Sequence, residues 1–286
     1  MSAEIYRMIS VTGSDAGEFL QGQLTQDIEL VGKQGCLPAA WCNPKGRVII
    51  VMRIIRVDGG YGLVMPASLA DSACERFKMF RFRADVELEV SGSDWAHLVF
   101  KGEMEITDLE PLELRPEQEV NASRKALGLT AINIGIEEAC VELFGLEADF
   151  KNAGIDTNDH ADFQFLSAAR IRAGIPEITG NYTEKYTPHM LNLDLIGAIS
   201  FDKGCYTGQE VVARTQNLGS SKRRLMRYRA ASTLTSGDKL SDGERDVGEV
   251  LNVVGSDLLA VTPVDIHNRT LVSDGVEVTP ANLPYL

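Results

Sequence analysis

Lys203-Gly-Cys-Tyr-Thr-Gly-Gln-Glu210, running on as Val-Val-Ala-Arg214, is the stretch from which the rest of the chain is read. Residues 196–201 ahead of it have the composition of a short strand or its approach, and Gly204 permits an unusual turn. Thr207-x-x-Glu210 is a capping box, so the spacing predicts a helix with Thr207 as N-cap that runs to about residue 216. Cys205 then lies just outside a helix N-terminus and two residues after Lys203. The positive end of the helix and the ammonium group both favour a thiolate there. The plainer reading keeps Cys205 as a small turn residue. Glu210 and Arg214, one turn apart, read either as a surface i,i+4 pair or as a cleft pair. In the second case Glu210 meets an amidine-like heterocycle edge and Arg214 a ligand carboxylate.

Downstream of Lys222 the pattern changes. Short strands at about 224–230, 247–254, 258–262 and 271–278 are broken by Ser-Gly-Asp and Ser-Asp-Gly turns, which reads as a small barrel-like β module. Upstream, Asp15-x-x-Glu18 is a second capping-box pattern and predicts a helix over 15–23, with a further helical turn at 25–28. Strands are expected at 37–41, 48–57, 61–66, 86–90 and 96–100, with Asn43-Pro-Lys-Gly46 as a hairpin turn. Leu69, Ala73, Phe77 and Phe80 have helical spacing and place a helix over 68–80. Helices are also expected at 123–127, 137–144 and 161–172, the last stopped by Gly174 and Pro176. Strands and helices joined by hairpins, rather than strict βαβ units, give an α+β fold class with ferredoxin-like subdomains.

Hydrophobic residues at 44% and charged residues at 24% are an ordinary globular balance, enough for a core without disulfides or metal. Asp plus Glu is 41 against 28 Lys plus Arg, a net charge of −13 that makes direct, extensive nucleic-acid binding unlikely as an expectation. One basic run remains, Ser221-Lys-Arg-Arg-Leu-Met-Arg-Tyr-Arg229, read as a charged strand edge or, alternatively, as an RNA contact. Met1-Ser-Ala-Glu-Ile-Tyr-Arg7 lacks an apolar stretch of signal-peptide length, and no run approaches the ~18–20 residues of a spanning helix. The chain is therefore expected to be cytoplasmic, with no membrane partner. Cys36, Cys42, Cys74, Cys140 and Cys205 are scattered without a Cys-x-x-Cys pair, so no metal site is expected. Trp41, Cys36 and Cys42 read as core, and His189 as a weak candidate for a cleft. Neither GxxxxGK[ST] nor GxGxxG occurs.

The run 203–210, with its continuation to Arg214, resembles the signature of the YgfZ family of folate-binding proteins, relatives of the glycine-cleavage aminomethyltransferase and of a mitochondrial iron–sulfur assembly factor. Phe19-Leu-Gln-Gly-Gln-Leu-Thr-Gln-Asp-Ile28, Cys42-Asn-Pro-Lys-Gly-Arg47 and Ala173-Gly-Ile-Pro-Glu-Ile178 are similar to family segments and fall in the family's order. So do Thr187-Pro-His-Met-Leu-Asn-Leu-Asp194 and Gly197-Ala-Ile-Ser-Phe201. The resemblance implies a ring of three subdomains, the last a β-barrel, around a central site for tetrahydrofolate or a one-carbon derivative. It divides the chain into 1–221, a folate-binding α+β region of two interleaved subdomains, and 222–286, the barrel. It also implies support of iron–sulfur cluster assembly or repair, and through it of tRNA-modifying enzymes, with iron–sulfur enzymes or assembly proteins as partners. Cys205 and Lys203 become the catalytic candidates. Tyr206, Gln209, Glu210, Arg214 and Arg172 become the folate-binding ones.

Two departures qualify that resemblance. The transferases carry an acidic pair after the glycine turn, where this chain has Ile49-Ile50, so no carboxylate is at hand to manage an iminium intermediate. They also place a glutamate where Arg172 stands, and an arginine cannot accept hydrogen bonds from a pterin. Either another acid such as Glu210 or Glu177 substitutes, or the pterin sits differently, or affinity is weak; Arg172 could instead favour the glutamate tail. A folate-dependent aminomethyl or one-carbon transferase, and a tRNA-binding module acting through 221–229, remain as alternative functions.

Overall fold

The computed structural model describes residues 5–92, 94–158 and 160–286; residues 1–4, the start of the stretch read for a leader, lie outside them. Five strands, β1 (Tyr6–Thr12), β2 (Cys36–Cys42), β3 (Val48–Val57), β4 (Gly60–Pro66) and β5 (Glu87–Val90), pair antiparallel in the order β2-β3-β4-β1-β5. β3 shows how the sequence builds the layers. Its β-branched residues suit a pleated surface, and alternation sends Ile50, Met52 and Ile54 into one core while Val51, Arg53 and Ile55 face the other way. The first face is covered by α1 (Ala16–Gln21), α2 (Val31–Gln34) and α3 (Ala67–Lys78). In α3 the stripe Leu69, Ala70, Ala73, Cys74 and Phe77 is buried, and Phe77 stacks on Trp41 with ring centres 3.8 Å apart.

A second antiparallel sheet holds β6 (Trp95–Lys101), β7 (Ser123–Ala126), β8 (Leu129–Asn133) and β9 (Cys140–Leu146) in the order β6-β9-β8-β7. α4 (Gly102–Thr107) and α5 (Glu147–Asn152) pack on one of its faces. The other face meets Tyr6, Met8, Ile55 and Val64 of the first sheet and Leu166 and Ala169 of α6 (Phe163–Arg172). α7 (Gln209–Leu218) precedes a closed barrel of β10 (Arg223–Ala230), β11 (Lys239–Ser241), β12 (Asp246–Val254), β13 (Asp257–Pro263), β14 (Leu271–Ser273) and β15 (Val276–Ala281). Closure leaves no exposed strand edge in that module.

The structure corrects several local expectations. Residues 123–127 and 137–144 are not helical: they supply β7 and most of β9, whose cross-strand partners decide the matter. The segment 271–278 is two strands around a turn at Asp274 and Gly275, both at positive φ. The segment 196–201 is turn and extended chain rather than strand, and the turn expected at 25–28 is a 3-10 helix at Ile28–Leu30. Asp15 does cap α1 in position, but its carboxylate accepts the Asp85 N–H (2.8 Å) instead of a helix amide. No helix among the described residues is long and apolar enough to cross a membrane.

Candidate functional site

The motif loop is laced onto the segment after α1. Thr25, fully buried, donates from Oγ1 to the Ala198 carbonyl (2.7 Å) and accepts the Ala40 N–H (2.9 Å). Gln26 donates to the Gly197 carbonyl (2.6 Å), and Ser200 N–H to the Thr25 carbonyl (2.9 Å). Lys203 closes the lacing: its Nζ donates to the carbonyls of Gln21 (2.7 Å), Leu24 (2.7 Å) and Gln26 (2.9 Å). An ammonium has three protons, and all three are committed. Lys203 thus anchors the motif loop, with no proton left to donate to the Cys205 thiol. Burial pushes the Lys203 amine down to about 8. Its Nζ also sits 5.1 Å from the ring centre of Tyr206, a buried side chain.

α7 does not use the capping box. Gly208, not Thr207, is the N-cap, at φ 85° and without a side-chain cap bond. A Cβ on Gly208 would stand 2.4 Å from the Asn43 carbonyl oxygen, and one on Gly46 2.8 Å from Val211 Cβ. The 43–46 hairpin presses onto the start of α7, and that close approach outweighs the local preference for a Thr cap. Cys205 thus lies three residues ahead of the N-cap. It is exposed, and it borders an open cavity of about 500 Å³ together with Glu18, Gln21, Ile28, Glu29 and Tyr61.

The other four cysteines are buried. Burial pushes the Cys36 thiol up to about 11 and those of Cys42 and Cys140 up to about 12, and it raises Cys74 as well. Iodoacetamide at pH 8 is accordingly expected to place one adduct on the folded chain, at Cys205, as read by peptide mass spectrometry. Rapid labelling of any second cysteine would contradict this arrangement. Among the described residues no group of three or more His, Cys, Asp or Glu side chains is placed to hold a metal ion.

A second locus lies where both sheets, α6 and the barrel meet. Glu142 on β9 is fully buried, and Arg170 on α6 grips it through Nη2 (2.7 and 2.9 Å) and Nε (3.1 Å). Arg53 of β3 lies 3.6 Å away and His97 of β6 3.4 Å away. Burial by itself would raise the Glu142 carboxyl, but the Arg170 and Arg53 guanidiniums overcome it and hold it well below the usual carboxylate range. Burial lowers His97. Arg170 also reaches Tyr6 and Glu177, and Tyr6 donates to the same Glu177 oxygen, Oε2. Beside this cluster a cavity of about 300 Å³ opens between α6, residues 175–181 and β12. Ile171, Ile175, Leu251 and Val253 give it apolar walls, and Arg170, Glu177, Asn181 and Asn252 give it polar ones. Asn252 fixes the backbone of Glu177, accepting its N–H (3.0 Å) and donating to its carbonyl (2.9 Å). A smaller pocket shares Arg170, Ile175 and Glu177 and continues to Tyr6, Val51 and Arg53.

None of the seven motif-based candidates lines this central cavity among the described residues. Arg172 turns the other way, to Glu138 (2.9 Å), Asp257 (3.4 Å) and Glu137 (3.7 Å). Glu210 and Arg214 are exposed on α7, and Gln209, its first residue, is half-buried. Sequence reasoning missed Arg170, although it lies one helical turn from Leu166 on the buried stripe, a usable signal. It missed Glu142 because 137–144 was read as helix. In the basic run, Arg224 makes paired bonds to Asp194 (2.9 Å each) and Arg227 binds Asp257 (2.9 Å) and Glu137 (2.6 Å). Trp41 is core, and the buried His189 bonds Gln216 (3.1 Å).

No protein-family model matches the chain. Curated relatives include the "tRNA-modifying protein YgfZ" of Klebsiella pneumoniae, 30% identical over 90% of this chain and 81% of the relative. The protein of that name from Colwellia psychrerythraea is 28% identical over 97% of this chain and 85% of its own length. Among solved structures, the glycine cleavage system aminomethyltransferase T from Bartonella henselae superposes with a TM-score of 0.72 at 15% identity, covering 98% of this chain and 84% of that one. The fold is thus aminomethyltransferase-like, in agreement with the expected α+β class and terminal barrel.

Proposed function

This chain belongs to the YgfZ family, and on that premise we propose that it binds a reduced folate, tetrahydrofolate or a one-carbon derivative, in the central cavity. In this reading it is a cytoplasmic accessory protein that supports iron–sulfur cluster assembly or repair, and thereby tRNA-modifying enzymes. The relatives' name supports the link to tRNA modification. Five unpaired cysteines suit a reducing compartment.

The observation that carries the folate assignment is Glu177, a residue of the central cavity's lining whose carboxylate is held by Arg170 of the same lining. A reduced pterin presents two adjacent donors, its amino group and a ring N–H, which call for an acceptor of this kind. Arg170 and Tyr6 both bind Oε2 and orient the group, which leaves the other oxygen for a ligand. About 300 Å³ is at the small end of ligand pockets, room for the ring system with the tail outside. Glu177, rather than the exposed Glu210, thus takes the place of the acid that Arg172 cannot supply. Bound folate would bring one-carbon chemistry; the protein's share is to orient the pterin and shield it from water. Cys205 borders a different cavity, so we assign its thiol to the encounter with iron–sulfur enzymes or assembly proteins.

The aminomethyltransferase alternative is less well supported, because Ile49 and Ile50 are core residues where an acidic pair would be needed. The tRNA-binding alternative is weakened by the carboxylates that already hold Arg224 and Arg227. Calorimetry tests the preferred reading. Folded wild-type protein should take up one tetrahydrofolate, Glu177→Gln should weaken binding by about tenfold or more, and Glu210→Gln should not. Absence of binding by the pure, folded wild type removes folate from the proposal.

A further inference from the structure

Arg47, Lys185, Arg223 and Lys239 converge on a cleft of about 370 Å³ that no part of the reading above uses. Two carboxylates share its lining, Glu249, which receives both lysines, and Asp246. The two guanidiniums bond backbone carbonyls: Arg47 Nη1 donates to Lys185 O (2.8 Å) and Arg223 Nη2 to Val261 O (2.8 Å). Four cations against two carboxylates leave the lining positive, within a chain whose total is −13. Such a place concentrates anions locally, and guanidinium forks suit carboxylates in particular.

The cleft adjoins the central cavity through two shared elements. Strand β12 walls both, residues 246–249 on the cleft side and 251–254 on the cavity side. The 179–186 segment does the same, with Asn181 on the cavity and Lys185 and Tyr186 on the cleft. Tyr182 stands between them: its hydroxyl donates to Val250 O (3.0 Å) and accepts from Ser236 Oγ (2.9 Å), and Ser236 lines the cavity. Lys185 Nζ lies 5.2 Å from the Tyr182 ring centre.

We propose that this cleft receives the γ-glutamyl tail of a polyglutamylated folate whose pterin occupies the central cavity. The inference rests on the folate reading, and it moves the tail from Arg172, which Glu138 and Asp257 already hold, to a place whose cations outnumber its carboxylates. Each added glutamate brings a carboxylate into a cationic lining, so affinity rises with tail length and falls with salt.

The test is calorimetry with tetrahydrofolate monoglutamate and triglutamate, at low and at 0.5 M salt. The triglutamate should bind about fivefold tighter at low salt, and the ratio should approach one in high salt. It should also approach one in the double variant Lys185→Gln/Arg223→Gln. Equal affinity of the two folates in the wild type at low salt overturns the inference and leaves the folate reading intact. Failure of both to bind overturns the folate reading and this inference with it.

Discussion

Arg170→Met is expected to destabilise the chain by about 3–5 kcal/mol, the cost of leaving a buried charge without its main partner. Glu142 is fully buried and would lose three N–H contacts at once. Arg53, at 3.6 Å, is the cation left facing it, and burial already disfavours the charged form of His97. The double variant Arg170→Met/Glu142→Gln should be more stable than Arg170→Met alone, because an amide is far cheaper to desolvate than a carboxylate. The pH dependence has a definite sign. In the folded chain the Glu142 carboxyl is held well below its ordinary value, whereas unfolded it titrates at about 4.3. Its contribution is therefore complete above that unfolded value and is lost as pH falls through the folded one. Arg170→Met should flatten this acid branch, since the carboxylate is no longer held in its charged form. Urea unfolding at pH 7 and pH 3.5 measures both effects. A loss under about 1 kcal/mol at pH 7 would mean that water or Arg53 satisfies Glu142 without Arg170.

How much of this was legible in the sequence depended on whether the signal was local. β3 was readable to its ends because ten mostly β-branched residues follow a Pro-Lys-Gly turn. The barrel was readable because its strands are separated by Ser, Gly and Asp turns. Residues 137–144 misled because Glu137 and Glu138 suggest a helix start, and Glu142 then looks like a solvent-facing charge. In fact β9 runs between β6 and β8, and Glu142 meets Arg53, His97 and Arg170 from three other elements. No local pattern announces that meeting. Arg170 was half legible: it lies one helical turn from Leu166, a signal that went unused, and its acid lies 28 positions upstream in the sheet. The motif 203–210 was conspicuous by composition, and its residues lie away from the cavity beside Glu142. Lys203, Tyr206 and Gly208 hold the loop in place, and Cys205 faces solvent beside a cavity.

Lys203→Met should then damage the fold before it damages any chemistry, with an expected loss of about 3 kcal/mol or more. The estimate follows from the three backbone carbonyls, of Gln21, Leu24 and Gln26, that its ammonium serves. Two of these bonds are buried outright, and a buried acceptor left without a donor costs about 1–3 kcal/mol. Methionine fills the channel but offers no proton. Lys203→Arg should recover only part of the loss, because a planar fork cannot point at three carbonyls that converge on one ammonium. A positioning role also predicts something that general destabilisation does not. Under conditions where Lys203→Met remains fully folded, Cys205 should alkylate at a changed rate, since the loop that carries it has lost its tether to residues 21–26. The buried Cys42 should stay unreactive in the same sample. If Lys203→Met unfolds at the wild-type urea midpoint, the three bonds contribute nothing net and the tether is not what shapes the motif. If stability falls but Cys205 reactivity is unmoved, Lys203 supports the core and leaves the thiol's surroundings to the glycine contacts at Gly46 and Gly208.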